Sequence, residues 1–99
     1  MGLTIVRRCA IELVVVPVSD VDRAKAFYQD QCGFVLDVDH SVGDEFRVVQ
    51  LTPPGSACSI SIGKGLASME PGSLQGLQLC VTDIDAARDR YAAAGIDIT

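Results

Sequence analysis

The sequence predicts an α+β fold, built as a β-α-β-β-β unit followed by the opening of a second one. Three observations carry that prediction. The stretch ELVVVPVSDVDRAKAFYQDQCGF, from Glu12 to Phe34, runs from an apolar strand through Ser-Asp into a helix-period segment, then to Gly and a new strand. A second copy, GLQLCVTDIDAARDRYAAAGIDI, begins at Gly76, and a shift of 63 positions lays Val18 on Val81, Asp20 on Asp83, Asp22 on Asp85, Ala24 on Ala87 and Tyr28 on Tyr91. Repeated caps and face residues mark an internal duplication. Between the two copies lie three strand-like segments bounded by turn residues.

Residues 1–10 are weakly patterned and read as a lead-in. Ile11–Val18 is β-branched, apolar and too short for a helix, so it reads as a strand buried on both faces. Pro17 has no N–H to donate and belongs at an edge or near the strand end. The first helix opens at Ser19-Asp20: Ser19 and Asp22 have capping-box spacing, and Asp20 is itself a good cap. Val21, Ala24, Phe27 and Tyr28 share its apolar face, and Gly33 is its left-handed stop. In the second copy Thr82, Asp83 and Asp85 stand at the start, Ile84, Ala87, Tyr91 and Ala94 on the face, and Gly95 at the end. Alternation through Phe34–His40 puts Phe34, Leu36, Val38 and His40 on one side and joins Asp37 and Asp39 on the other. Ser41–Asp44 is a turn, Glu45–Leu51 a strand, and Thr52-Pro53-Pro54-Gly55 a loop. Ala57–Ile62 is the last strand, with Cys58, Ile60 and Ile62 on one face and Ser59 and Ser61 on the other. Gly63-Lys64-Gly65 ends it. The expected organisation is a first module over 11–65, a connection over 66–74 and the start of a second module over 75–99.

Ninety-nine residues make one domain at most, and a net charge of −5 argues against a nucleic-acid surface, which needs clustered Lys and Arg. Cys9, Cys32, Cys58 and Cys80 share no CxxC spacing, which argues against a zinc or thioredoxin-type site. Cys58 and Cys80 sit in apolar runs, where a reduced Cys serves as a small core residue. Arg7 and Arg8 follow a short apolar run, the reverse of a signal peptide, and no apolar stretch approaches membrane-spanning length. The expected compartment is a reducing cytoplasm. No Ser, Cys or Lys stands in a nucleophile motif, Gly63-Lys64-Gly65 lacks the rest of a P-loop, and no catalytic residue is assigned. His40, the single histidine, reads as a strand-end surface residue.

The segments VVVPVSDVDRAKAFYQDQCGF and LQLCVTDIDAARDRYAAAGI resemble the two module openings of the vicinal oxygen chelate superfamily. That group includes glyoxalase I, bleomycin-resistance proteins, fosfomycin-resistance enzymes and extradiol dioxygenases. The resemblance implies paired βαβββ modules in a curved mixed sheet that encloses a ligand cavity, with helices on the outer face. Carrying the first module forward by 63 positions puts the second at 75–125, so it is expected to be incomplete in this chain, which is then either a fragment or a chain whose sheet a partner completes. The resemblance also implies metal-ligand positions at Leu13, Gly76 and Ser61. Leu and Gly offer no donor atom, and a lone Ser hydroxyl is a poor ligand for a transition metal. Glu12, one residue away, points to the opposite face and reads as a solvated strand-start residue. No metal or cofactor is therefore expected.

The duplication pairs Val14, Val16 and Val18 with Leu77, Leu79 and Val81, the set expected to pack on the helices. The other set pairs Leu13, Val15 and Pro17 with Gly76, Gln78 and Cys80 and should face the concave side, joined by Ser59 and Ser61. The Glu45–Leu51 strand offers Gln50 or Arg47, according to which of its faces turns inward. The candidate pocket is Leu13, Val15, Gln50, Ser59, Ser61 and Gln78, mostly apolar with a few uncharged polar groups. The expected function is metal-free binding of a small apolar or aromatic molecule by a homodimer, as in bleomycin-resistance proteins. Alternatives are a glyoxalase-like lyase or dioxygenase with atypical ligands, and a protein-interaction module on the same fold.

Overall fold

A computed structural model describes residues 11–97; the expected lead-in over 1–10 lies outside the described residues. The elements are β1 (Leu13–Val15), α1 (Val21–Ala26, continued by a π turn over Phe27–Gln31), β2 (Val35–Val42), β3 (Phe46–Thr52), β4 (Ser59–Lys64) and α2 (Ile84–Ala93). The mixed sheet has the order β1-β4-β3-β2, with β1 parallel to β4 and the other pairs antiparallel. One face carries α1. The fold is α+β with an open four-stranded sheet, as the sequence predicts.

β1 is shorter than the expected Ile11–Val18. Its ladder is extended at each end by Ser59 N–H to the Glu12 carbonyl (2.8 Å) and Val16 N–H to the Ser61 carbonyl (2.9 Å). Pro17 then supplies no donor, and pairing stops. The core lies between the sheet and α1. Val49, Leu51, Ile60 and Ile62 from β3 and β4 are buried together with Cys32 and Phe34. Val16, Val18, Val21, Ala24, Phe27 and Tyr28 close over them, so the predicted apolar face of α1 is the face that packs.

β2 departs from simple alternation. The register runs Val35 to Thr52 and Leu36 to Leu51, then skips Asp37 and resumes with Val38 opposite Gln50. This bulge places two residues of β2 against one of β3. Leu36 and Asp39 therefore share the helix-side face with Leu51 and Val49, while Val38 and His40 lie on the other side with Gln50 and Val48. The expected face of Phe34, Leu36, Val38 and His40 is thus split, and Asp37 and Asp39 do not share a face. Thr52, expected in a loop, is the last residue of β3.

Leu77–Val81, expected as a strand, is not part of the sheet. Leu77, Leu79 and Val81 are 47%, 49% and 40% exposed, and Cys80, expected in a core, is exposed as well. Its residues are apolar and β-prone, but a strand needs a partner's N–H and C=O groups, and none of the four described strands pairs there.

Candidate functional site

The face of the sheet opposite α1 is organised by register. Leu13 pairs with Ser59, Val15 with Ser61, and Ser61 in turn with Gln50. Paired residues point to the same side of a sheet. Leu13, Val15, Gln50, Ser59 and Ser61 therefore occupy one continuous surface across β1, β4 and β3. The same register assigns Gln50 to this face and turns Arg47 to the other. Ser59 and Ser61 are nearly covered, since they are short side chains on a central strand between longer neighbours; Leu13, at the edge, is 40% exposed. Gln78 is elsewhere. Outside the sheet, 77–79 runs along the helix side, where Gln78 and Leu79 line a cavity of about 330 Å³ with Tyr28, Phe34, Ile60 and Tyr91. The alternation that grouped Gln78 with the five sheet residues applies only to a paired strand.

The open face continues over β2 and β3 with Val35, Val38, Val42 and Phe46, all exposed. At the Val35 end of this face, away from Val42 and Phe46, is a polar chain. Thr52 Oγ1 donates to Asp37 Oδ2, and Thr52 Oγ1 lies 2.6 Å from Ser59 Oγ. Sequence reasoning missed this group because the bulge that brings Asp37 to Thr52 breaks the two-residue period on which strand faces are read. The residues on this face do not fit a metal ion. Leu13 has no donor atom, Ser61 stands beside Val15 and Gln50, and no three His, Cys, Asp or Glu side chains are grouped to hold one among the described residues.

The helix side carries an ion-pair network. Arg47 donates to both Asp39 oxygens (Nε 3.0 Å, Nη2 2.9 Å) and to Asp22 at the start of α1 (2.7 Å), while Lys25 Nζ reaches Asp39 at 2.8 Å. Hydrogen bonds from Arg47, and then from Lys25, hold the Asp39 carboxyl well below the usual carboxylate range. The same network clamps α1 to the β2–β3 end of the sheet. Burial pushes the Cys32 thiol up, and burial followed by the nearby Cys32 pushes the Tyr28 hydroxyl up. No helix among the described residues is long and apolar enough to cross a membrane.

The profile described as the Glyoxalase/Bleomycin resistance protein/Dioxygenase superfamily matches residues 10–99. Among solved structures, the chain is similar to TnmS3, an antibiotic binding protein from Streptomyces sp. CB03234, with 36% identity and a TM-score of 0.79 over 93% of this chain and 75% of that one. It is similar to a glyoxalase/bleomycin resistance protein from the same source, with 38% identity and a TM-score of 0.77 over 89% of this chain and 76% of that one. A superfamily member from Sphaerobacter thermophilus DSM 20745 matches at 25% identity and a TM-score of 0.76 over 93% and 76% of the two chains. No curated protein matches the chain.

Proposed function

Since the chain belongs to the Glyoxalase/Bleomycin resistance protein/Dioxygenase superfamily, we propose that it is a metal-free protein that binds a small apolar or aromatic molecule on the open sheet face and works as a cytoplasmic homodimer. The observation that carries this reading is the register that joins Leu13, Val15, Gln50, Ser59 and Ser61 on one surface. An apolar surface with a few uncharged polar groups suits an organic ligand. TnmS3 is an antibiotic binding protein, which supports small-molecule binding in this chain too.

The donor set supports the metal-free part of the reading over lyase or dioxygenase chemistry with atypical ligands, since neither Leu13 nor Ser61 replaces a strong ligand. The homodimer is supported by the rest of the face: Val35 is 54% and Val42 60% exposed, beside Val38 and Phe46. A contiguous apolar surface of this kind calls for cover. A second copy related by a two-fold axis provides it while forming the far wall of the ligand site. The unpaired thiols of Cys32, Cys58 and Cys80 support a reducing compartment.

Fluorescence titration tests the site with 1-aminoanthracene as the probe. Wild-type protein should bind it saturably, and Val15→Arg, which puts a charge on the apolar wall, should weaken binding at least tenfold. Equal binding by both proteins would remove the site from this face. Elemental analysis after purification without added metal should find well under one equivalent of Zn, Fe, Mn or Ni per chain; a full equivalent would overturn the metal-free reading. Light scattering across a dilution series should give twice the chain mass, and a concentration-independent monomer would overturn the dimer.

A further inference from the structure

We propose that Asp37, Thr52 and Ser59 form an acceptor-only relay on the open sheet face, which selects ligands carrying a hydrogen-bond donor over ligands of equal size without one. This rests on the ligand-binding reading above and deepens it by naming the ligand class: aromatic compounds bearing an amine or hydroxyl group.

The direction of the relay follows from its chemistry. An ionised carboxylate accepts hydrogen bonds and cannot donate. Thr52 gives its single hydroxyl proton to Asp37. The 2.6 Å contact between Thr52 Oγ1 and Ser59 Oγ is a hydrogen bond, and with the Thr52 proton committed, Ser59 must be the donor. Both hydroxyl protons then point toward Asp37. Ser59 keeps its oxygen lone pairs as its remaining hydrogen-bonding capacity, and Asp37 keeps its second oxygen. The group turns acceptors alone toward the ligand.

Its position suits that role. Ser59 pairs with Leu13 on β1, so the relay adjoins the apolar wall. Asp37 reaches Thr52 because the bulge between Leu36 and Val38 inserts it there. The neighbouring cations do not neutralise it, since Lys25 and Arg47 are committed to Asp39 and Asp22 on the opposite face. A ligand with an N–H or O–H over Ser59 and Asp37 replaces the water it displaces. A ligand of the same shape without a donor strips that water and leaves the acceptors unmatched, which is the larger effect.

The test is a matched pair, 1-aminoanthracene and 1-methylanthracene, titrated by fluorescence against the full chain. Wild-type protein should bind the amine about ten times more tightly than the methyl compound. Thr52→Val breaks the relay in the middle while keeping a β-branched strand residue; it frees the Ser59 proton to donate outward while Asp37 still accepts, so the ratio should fall to about three. Asp37→Asn lets the side-chain amide donate to Thr52, which frees Ser59 to donate outward; the ratio should fall below about two or reverse. Circular dichroism checks that each variant folds, and because Asp37 is an exposed bulge residue, its variant carries the test if Thr52→Val does not fold. Equal binding of the two compounds by wild-type protein would overturn the relay and leave the binding face standing. A preference left undiminished by both substitutions would assign donor recognition elsewhere. Binding of neither compound would remove the ligand-binding reading, and the relay with it.

Discussion

The two strand-helix units of this chain share a local code and reach different ends. In the first, Asp20 caps α1 with φ −129° and ψ 105° and accepts from Arg23 N–H at 3.0 Å; in the second, Asp83 caps α2 with φ −138° and ψ 106° and accepts from Ala86 N–H at 3.1 Å. The caps are equivalent, and both helices end at a glycine in the left-handed region, Gly33 and Gly95. The bodies differ by one residue. Gly33 lies five positions after Tyr28, but Gly95 lies four after Tyr91. The first unit absorbs the extra residue in its π turn, where Cys32 N–H bonds to the Phe27 carbonyl at 3.0 Å. The closing bond then spans Phe34 N–H to the Tyr28 carbonyl, against Ile96 N–H to the Tyr91 carbonyl in the second unit. A single-turn π bulge accommodates one inserted residue without unwinding the helix. Ahead of the helices the contrast is greater, because β1 pairs with β4 while Leu77–Val81 pairs with no described strand. Helices close their hydrogen bonds internally, so similar sequences give similar helices in unequal surroundings. Strands borrow theirs from a neighbour.

The largest expected difference between the units concerns their matched tyrosines. Tyr28 packs between Phe27 and Phe34, with ring centroids 5.0 and 5.5 Å away, and sits on the core. Tyr91 also packs against the core, but its ring meets the Arg90 guanidinium at 5.9 Å where Tyr28 has two aromatic neighbours. Tyr28→Ala should destabilise the protein by about 3 kcal/mol in urea unfolding, and Tyr91→Ala by about 1 kcal/mol. Equal losses would mean that the second unit is packed as tightly as the first.

A smaller effect separates the units by pH. Only α1, among the two helices, is tied to the sheet through Asp39, Arg47, Lys25 and Asp22 in the described ion pairs. The folded-state pKa of Asp39 is depressed, so its contribution to stability is complete above the unfolded carboxylate value of about 4 and is lost as pH falls toward the folded value. Urea midpoints between about pH 5 and pH 2.5 should fall more steeply for wild type than for Asp39→Asn, which should already be about 1 kcal/mol less stable at neutral pH. Parallel pH curves would remove the network as a stabilising feature of the first unit.

The smallest effect is expected from making the units alike. Deleting Gln29, an exposed residue of the π turn, should convert α1 to regular α-helix up to Gly33 and restore the spacing seen between Tyr91 and Gly95. Stability should change by less than about 1 kcal/mol, with helical circular dichroism retained. A large loss would show that the π turn itself is needed to aim Cys32 and Phe34 into the core.

The helix phases and caps, the glycine stops and the β-α-β-β-β order were legible in the sequence because each is set within a few residues. Asp20, Asp83, Gly33 and Gly95 carry their conformations in their own chemistry. The surface shared by Leu13, Val15, Ser59 and Ser61 was legible for a related reason: a two-residue period assigns faces as long as a strand stays regular. What required tertiary structure was everything that depends on a neighbour. The register of β3 against β4 assigned Gln50 rather than Arg47 to the open face. The bulge at Asp37 separated it from Asp39 and joined it to Thr52 and Ser59. Gln78 left the expected set because its segment, however β-prone, pairs with none of the described strands. Local propensity selects a backbone conformation residue by residue, whereas cross-strand hydrogen bonds between distant segments decide which side chains meet, and the sequence period carries no record of where those bonds shift by one.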